Sequence, residues 1–360
     1  DFLADLALCF IAFSAGEFFK LETLRKNGWK VVWVTIAEAC AASLVVFGVT
    51  RFLLGLSLPF CVVLAALASA TAPASTMMTI RQTGAQGELV DTLLQVVALD
   101  DVVSLLAYSA AIAFALHSLT GRSSDPVGDL LVPIGTTLGM LILGGVCGLL
   151  LKWLLPATRT ADNRLILALG VLFAFCGLCD MLEVSPLLGC MSMGMVYINL
   201  TGDDLLFAQL ASFSPPILLL FFVRSGLCFD LGALFSASPD GSGSLLTVGI
   251  LYFFARIIGK YAGAWRGCRT AGLSQPVCRC LGLALIPQAG VSIGLAALCA
   301  RTLGGGIGSD LYTIIMASSV LYELIGPGCA KLALYLSHSY TPAPKPEHRT
   351  AAVPELAPNS

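Results

Sequence analysis

Residues 96–103 read Val96-Val97-Ala98-Leu99-Asp100-Asp101-Val102-Val103, which places two adjacent carboxylates inside a long apolar run. Placing a charged side chain at the centre of a bilayer costs at least ~3 kcal/mol of free energy. Two adjacent charged residues at such a position therefore indicate a function that offsets this cost. The pair could face a polar loop in a soluble core, or it could bind a cation and protons within a membrane. The composition of the chain favours the second interpretation.

The chain has 360 residues, of which 57% are hydrophobic and only 12% are charged. Soluble domains carry about 25% charged residues, so this composition excludes a soluble protein and predicts an all-α polytopic membrane protein. The net charge of -2 gives no indication of a nucleic-acid partner. The 13 cysteines show no metal-binding spacing, and we interpret them as small apolar core residues. We expect no cofactor.

Apolar runs define the predicted membrane spans, because about 20 apolar residues make one span. We predict about 11 spans, at residues 2–19, 31–54, 59–80, 89–116, 130–155, 165–181, 184–200, 213–235, 245–265, 281–300 and 311–335. The chain begins inside an apolar segment, so we expect one or more further helices upstream. The Pro-rich segment 336–360 is predicted to be a short disordered tail.

Lysine and arginine residues are concentrated on one side of these spans. The loop at 20–30 and the loops that alternate with it carry most of the 20 basic residues, whereas the opposite loops carry only Arg51, Arg122 and Arg301. Short loops rich in lysine and arginine remain in the cytoplasm. We therefore expect a cytoplasmic C-terminus.

Two predicted spans contain a proline and small polar residues near their middle: Ala70-Thr71-Ala72-Pro73-Ala74-Ser75-Thr76 and Ile286-Pro287-Gln288-Ala289-Gly290-Val291-Ser292. Proline removes a backbone donor and frees a carbonyl group, which a membrane tolerates only where the backbone is buried or lines a cavity. Each broken span is the middle one of a triplet, within 31–116 and 245–335, and the two triplets start on opposite sides. This pattern predicts an inverted repeat with two crossed discontinuous helices.

Two cations, Arg256 and Lys260, lie four residues apart in the ninth predicted span and therefore share a helix face. We expect Lys260 to pair with Asp100 or Asp101; the alternative is that it snorkels to the cytoplasmic interface. Adjacent residues on a helix diverge by about 100°. One aspartate should therefore face Lys260 and the other an open cavity.

The remaining charges inside predicted spans are expected to form structural ion pairs. Arg256 needs an acidic partner, and either Glu38 or Glu323 could serve. Arg224 also lies in the middle of a span. The candidate partners of Arg224, between which the sequence does not choose, are Asp230 and Glu183.

Oxygen atoms are abundant near the aspartate pair. A small hard cation such as Na⁺ prefers oxygen ligands, which the carboxylates, the hydroxyls of Thr71 and Ser292 and the freed carbonyl groups can provide. Protons and the cation would then compete for the same oxygens. Competition at one site, combined with alternating access from the two sides, gives exchange.

Five motifs together resemble the bacterial monovalent cation:proton antiporters, and are closest to the NhaA/NapA-like branch. They are Ser69-Ala70-Thr71-Ala72-Pro73-Ala74, Val97-Ala98-Leu99-Asp100-Asp101, Arg256-Ile257-Ile258-Gly259-Lys260, the segment 283–291 and Tyr322-Glu323-Leu324-Ile325-Gly326-Pro327. The resemblance implies a six-helix core, here 31–116 and 245–335, that moves against a scaffold and dimerisation part, here about 1–30 and 130–235. It also implies a homodimer in a bacterial-type inner membrane.

The resemblance further implies roles for individual residues. Asp101 would be the main carrier and the ligand of Na⁺, and Asp100 would pair with Lys260 in an electrogenic exchange. Thr71 would lie at the helix crossing, and Pro73, Pro287, Gln288 and Ser292 would line the site. Arg224 stands where many members of the family have an uncharged residue.

Other functions predict different patterns. A membrane aspartyl protease needs its two aspartates on separate helices facing one peptide bond, whereas adjacent aspartates on one helix point apart. A cation channel or a proton-coupled carrier of another small solute remains an alternative to antiport. The oxygen ligands do not distinguish Na⁺ from K⁺ or Li⁺, and we expect Na⁺.

Overall fold

A computed structural model describes residues 2–17, 20–21, 28–120, 126–156, 158–182, 186–213, 215–227, 232 and 244–340. Regular structure within these ranges is helical. We number the helices α1 Phe2–Gly16, α2 Trp29–Gly48, α3 Leu58–Leu67, α4 Pro73–Thr83, α5 Glu88–Thr120, α6 Pro126–Leu154, α7 Ala161–Met181, α8 Leu187–Thr201, α9 Asp204–Phe213, α10 Pro215–Leu227, α11 Leu245–Ala271, α12 Gln275–Ala284, α13 Gly290–Leu303 and α14 Gly305–Leu336. The greater part of the predicted disordered tail, from residue 341 onward, lies outside the described residues.

Five of the described helices are long and apolar enough to cross a membrane by length and composition: Trp29–Leu53, Glu88–Leu119, Ala161–Met181, Leu245–Ala271 and Gly306–Leu336. The first includes a π-helical turn, Val49–Leu53, that continues α2. Four shorter apolar helices accompany them: Leu58–Leu67, Leu138–Leu154, Leu188–Thr201 and Gly290–Leu303.

The first part of the eighth predicted span, 213–235, contains helix α10, Pro215–Leu227, and most of the remainder lies outside the described residues. Helix α9, Asp204–Phe213, precedes this span and was not predicted. Proline has no backbone donor and clashes with the preceding turn, so it begins a helix more readily than it continues one. The pair Pro215-Pro216 explains why α10 begins at this point.

Helices α2 and α11 pack against each other in antiparallel orientation. The indole nitrogen of Trp33, near the start of α2, donates to the hydroxyl of Thr270 at the end of α11, at 2.8 Å. The first triplet consists of α2, the pair α3/α4, and α5, and the second consists of α11, the pair α12/α13, and α14. The start of α2 therefore lies beside the end of α11, so the two triplets run in opposite directions. This confirms the predicted inverted arrangement.

A stripe of glycines sets the spacing of these two helices. A Cβ atom added to Gly263 would lie 2.6 Å from the Cα of Glu38, and one added to Gly259 would lie 2.7 Å from the Cα of Ala42. Small residues let membrane helices approach this closely. Because Lys260 follows Gly259 directly, the stripe brings the Lys260 ammonium beside α2.

The two broken helices meet at their breaks. Helix α3 ends at Leu67 before α4 begins, and α12 ends at Ala284 before α13 begins. Across the gap the N–H of Ala72 donates to the carbonyl oxygen of Pro287 at 2.9 Å. The predicted crossing of two discontinuous helices is confirmed, with the non-helical segments 68–72 and 285–289 in direct contact.

The ends of α4 and α14 lie on the same side of the molecule. The N–H of Gln86, just after α4, donates to the carbonyl oxygen of Ser339, just after α14, at 3.0 Å. We call this side the C-terminal face. Helix α5 starts on it at Glu88, two residues after Gln86.

Helices α1, α6 and α8 form a second tightly packed group. A Cβ atom on Gly148 of α6 would lie 2.7 Å from the carbonyl oxygen of Met193, and one on Gly16 of α1 would lie 2.6 Å from that of Met191. Both contacts are with α8. Small residues again allow the close approach of helices.

Candidate ion-binding site

One face of α11 supplies three polar side chains to the crossing of the broken helices. Tyr252, Arg256 and Lys260 follow one another at intervals of four residues, which aligns them on one helix face. Each is fully buried. They lie at successive depths along the seam between the two triplets, and each bonds to a different part of the crossing.

Lys260 is held by three groups. Its ammonium nitrogen lies 2.5 Å from Oδ2 of Asp100, 2.8 Å from the hydroxyl oxygen of Thr71, and 2.8 and 3.0 Å from the two carboxylate oxygens of Glu38. An ammonium group has three donors, so three partners satisfy it. The position is buried, which is incompatible with the snorkelling alternative.

Asp100 is tied to the break as well as to α11. Its Oδ2 accepts a hydrogen bond from the Thr71 hydroxyl in addition to the bond from Lys260. Thr71 belongs to the non-helical segment between α3 and α4, so one oxygen of Asp100 joins α5, α11 and the first break. Both side chains are buried.

Asp101 is bonded differently from its neighbour. Its side chain is 2% exposed, and Oδ1 has no hydrogen-bond partner among the described residues. We expected this acid to face an open cavity, and that expectation is wrong for the conformation described. Helices pack around α5 at this depth and enclose the carboxyl group. A buried carboxylate oxygen without a donor is costly and is available to a cation or a proton.

Arg256 does not pair with an acid, contrary to our expectation of Glu38 or Glu323. Its three nitrogens donate to backbone carbonyl oxygens: Nε to Ala68 at 2.9 Å, Nη2 to Ala70 at 2.5 Å and Nη1 to Ile286 at 2.8 Å. These carbonyls flank the two breaks, where helical hydrogen bonding is interrupted. A guanidinium group has five donors in a fixed fork, so it can satisfy both breaks at once.

Aromatic packing completes the surroundings of Arg256. The guanidinium carbon lies 4.7 Å from the centroid of the Tyr322 ring, and the Tyr322 hydroxyl donates to the carbonyl oxygen of Phe253 at 3.0 Å. A cation over an aromatic face is attracted by the ring quadrupole. Helix α14 is thereby joined to α11 at the crossing.

Glu38 and Glu323 contact other residues than Arg256, the partner that we predicted for one of them. Glu38 contacts Lys260, so it belongs to the aspartate cluster. Glu323 lies on α14, where its Oε1 accepts a hydrogen bond from the Ser75 hydroxyl of α4 at 3.2 Å. The sequence revealed that both acids lie inside spans, but their partners depend on which helices pack together.

Gln288 links both breaks to α11. Its side-chain nitrogen donates to the carbonyl oxygen of Leu67 at 2.8 Å, and its amide lies 3.1 Å from the Tyr252 hydroxyl oxygen. Sequence reasoning missed Tyr252. The four-residue spacing that it shares with Arg256 and Lys260 was the signal that could have identified it.

The other predicted lining residues lie at the two breaks. Pro73 is the first residue of α4, and Pro287 accepts the backbone bond between the breaks. Ser292 is buried in the first turn of α13, and its hydroxyl has no partner among the described residues. The backbone of Arg224 lies in α10, whereas its side chain and both candidate partners lie outside the described residues.

The cluster formed by Glu38, Asp100, Asp101 and Lys260 contains three acids and one base, all buried. A buried cluster with excess acid is stabilised by a bound cation or by protons, and the two compete for the same oxygens. The hydroxyl of Ser292, which has no partner among the described residues, is a further oxygen of the kind that a hard cation prefers. The arrangement suits reversible binding of a monovalent cation.

Comparison with known proteins agrees with this chemistry. The sequence matches the family described as sodium/hydrogen exchanger, transmembrane, over residues 1–333. Among solved structures, the chain is similar to the sodium proton antiporter MjNhaP1 from Methanocaldococcus jannaschii at pH 8, with a TM-score of 0.70 and 18% sequence identity over 92% of this chain and 84% of that chain. At this identity the likeness shows that the two proteins share a fold. No curated protein sequence matches the chain.

The family match spans almost the whole described chain, and the apolar helices agree with a multi-pass membrane protein. The protein is a secondary transporter and not an enzyme. The chain belongs to the sodium/hydrogen exchanger family, and it exchanges a monovalent cation for protons.

Proposed function

We propose that this antiporter exchanges Na⁺ for protons and that Asp101 is the group that binds the two ions in turn. The observation that carries the proposal is the unequal bonding of the two aspartates. Asp100 accepts bonds from Lys260 and Thr71, whereas Oδ1 of Asp101 has no partner among the described residues. Oδ1 of Asp100 also lacks a partner among the described residues, but the other oxygen of Asp100 already accepts two hydrogen bonds. Asp101 can therefore accept a desolvated cation with the smaller loss of existing bonds.

The exchange follows from competition at Asp101. A proton neutralises the carboxyl group, and Na⁺ replaces the proton as a ligand of the same oxygen when the cation concentration is high. Ser292 and the carbonyl groups near the breaks supply further oxygen ligands for Na⁺. Alternating access then carries the cation one way and the proton the other.

In this proposal, proton release from Lys260 accounts for the net charge that each transport cycle moves across the membrane. A cation bound near Asp100 weakens the hold of that acid on the Lys260 ammonium, and the lysine then releases a proton. Two protons, one from Asp101 and one from Lys260, would exchange for one Na⁺. The cycle would therefore move one net charge and be electrogenic.

The core repeats, about 31–116 and 245–335, would move as one body against the scaffold part, about 1–30 and 130–235. The bonds from Arg256 to both breaks and the backbone bond from Ala72 to Pro287 support a rigid core. We further propose a homodimer in a bacterial-type inner membrane, with the C-terminus in the cytoplasm.

The test is a set of current recordings on a solid-supported membrane carrying proteoliposomes of the purified protein. Concentration jumps of Na⁺, K⁺ and Li⁺ at several pH values report the cation and the net charge, and a pH-sensitive dye reports proton release. Asp101→Asn should abolish both signals, because the amide neither ionises nor holds a proton for exchange. Exchange that persists in this variant would reject Asp101 as the carrier.

A matched control lies on the same helix. Asp91 is exposed in the first turn of α5, so Asp91→Asn should retain exchange. A dye signal without any current would reject the electrogenic cycle while leaving Asp101 as the carrier.

A further inference from the structure

Glu323 is an acidic residue inside a membrane-spanning helix, and the proposed mechanism assigns it no role. It is partly buried, and its one hydrogen bond comes from the neutral Ser75 hydroxyl at 3.2 Å. Among the lysines and arginines whose side chains the structure describes, none forms an ion pair with it. An ionisable group within the membrane is costly and marks an ion pathway more often than it serves packing.

Glu323 lies at about the same depth as the aspartate pair. At 1.5 Å per residue, it is about 20 Å from the end of α14 at Leu336, and Asp100 is about 18 Å from the start of α5 at Glu88. Both of these helix ends lie at the C-terminal face. The two acids are therefore separated laterally, by the first break and the start of α4.

Helix α4 is polar for a helix within a membrane. Ser75 is partly exposed, and Met78 is 62% exposed. The helix runs from the break to the C-terminal face, and its polar residues are Ser75, Thr76, Thr79, Arg81, Gln82 and Thr83. Thr76 and Thr79 are buried, whereas Ser75 and Thr83 are partly exposed and Gln82 is exposed. Helix α4 therefore presents polar groups outward at its start and in its last turn.

The residues that contact Glu323 and the aspartate cluster are close together in the chain. Ser75 bonds to Glu323, and Thr71, four residues earlier in the chain, bonds to both Asp100 and Lys260. The segment 71–75, which covers the end of the break and the start of α4, thus contacts the buried aspartate cluster at one end and the partly exposed Glu323 at the other. Carboxylate and hydroxyl oxygens are ligands that hard cations prefer.

We propose that Glu323 and Ser75 form a capture site for the transported monovalent cation, reached from the C-terminal face and distinct from the site at Asp101. The cation occupies this site before it moves past Thr71 to the aspartates. This inference rests on the proposed function, since it assigns the preceding step on the same pathway.

The test uses Glu323→Gln, which keeps the size of the side chain and an acceptor for Ser75 but removes the charge. The full-length protein is reconstituted in one orientation, and exchange is measured against the Na⁺ concentration on each face separately. The apparent KM for Na⁺ at the C-terminal face should rise about tenfold, the effect of losing one bond to a charged group. The kcat and the KM at the other face should change by less than about twofold.

Further variants separate capture from a structural role. Ser75→Ala should raise the KM at the C-terminal face by about fivefold, as expected for a lost hydrogen bond of ordinary strength. Glu323→Asp keeps the carboxylate and should restore much of the affinity. Asp310→Asn changes an acid near the opposite end of α14 and should leave the KM at the C-terminal face unchanged.

Two outcomes would overturn the inference. One is an unchanged KM at the C-terminal face in both Glu323→Gln and Ser75→Ala, and the other is an equal rise at both faces. The result is independent of the proposed function, which fails only if Asp101→Asn still exchanges ions. If Glu323→Gln does not fold, the apparent KM for Na⁺ at the C-terminal face is compared between Ser75→Ala and the unmodified protein. An unchanged KM in Ser75→Ala then overturns the inference.

Discussion

The ammonium nitrogen of Lys260 lies 2.5 Å from Oδ2 of Asp100, and both side chains are fully buried. The same nitrogen lies 2.8 Å from Oε2 of Glu38. One cation therefore serves two acids from two other helices, α2 and α5, at the point where the repeats meet. The ammonium joins three helices of the core and leaves Asp101 as the acid of this cluster without a direct ion pair to Lys260.

Replacing Lys260 with alanine should strongly destabilise the protein. The change leaves Glu38 and Asp100 buried without their shared cation, and breaking a buried ion pair costs about 3–5 kcal/mol. A large fall in the melting temperature of the purified protein in detergent is the expected result. If the variant still transports, the charge moved per cycle should fall, because Lys260 no longer releases a proton.

Lys331→Ala is the matched control, because Lys331 is exposed near the end of α14. Its melting temperature should differ little from that of the unmodified protein. Equal stability of the Lys260 and Lys331 variants would contradict the central position that we assign to the Lys260 ammonium.

Arg256→Lys should destabilise the crossing even though the charge is kept. The guanidinium donates to carbonyl groups on both sides of the crossing, at Ala68, Ala70 and Ile286. A lysine ammonium lacks the planar fork that reaches these positions together. Each buried carbonyl left without a donor costs about 1–3 kcal/mol, and thermal melting in detergent measures the loss.

The control for this variant is Arg266→Lys, an exposed position on the same helix. We expect a change of less than about 0.5 kcal/mol there, as for most surface substitutions. A similar small effect at Arg256 would show that the breaks do not depend on the guanidinium.

Gly263→Ala should force α2 and α11 apart. The added Cβ would lie 2.6 Å from both the Cα of Glu38 and the Cβ of Ala41, and overpacking of this kind costs about 1–3 kcal/mol. Because Glu38 lies at the contact, the variant should also impair exchange. Thermal melting and dye-monitored proton release measure the two effects.

Gly249→Ala makes the same chemical change on the same helix where no atom lies within 4 Å of the added Cβ. Alanine favours a helix over glycine by about 1 kcal/mol, so this variant should be as stable as the original protein or slightly more stable. A matching loss of stability at both glycines would argue against the close packing of α2 and α11.

Local sequence features predicted much of the fold, because they act within one helix. Apolar run length defines a membrane span, and Pro73 and Pro287 interrupt hydrogen bonding wherever they fall. The search for spans missed α9, because this helix of 10 residues is shorter than a membrane span.

Pairing of the buried charges could be predicted only in part. The helical period places Arg256 and Lys260 on one face, but it does not say which helix that face meets. The sequence suggested acids for Arg256, whereas the crossing offers it backbone carbonyl groups that become available only when the breaks lie side by side. Glu38, one of the two acids considered as a partner of Arg256, forms its ion pair with Lys260 for the same reason.

The sequence by itself determined that this is a helical membrane protein with two interrupted spans and a pair of adjacent aspartates. Composition, periodicity and the effect of proline on a helix depend on residues that are close in the sequence, so the sequence alone predicts them. The tertiary structure decided which acid Lys260 holds and which acid lacks a partner. Those choices depend on contacts between residues far apart in the chain, such as the close approach of Gly263 to Glu38, which places α11 between two acidic helices.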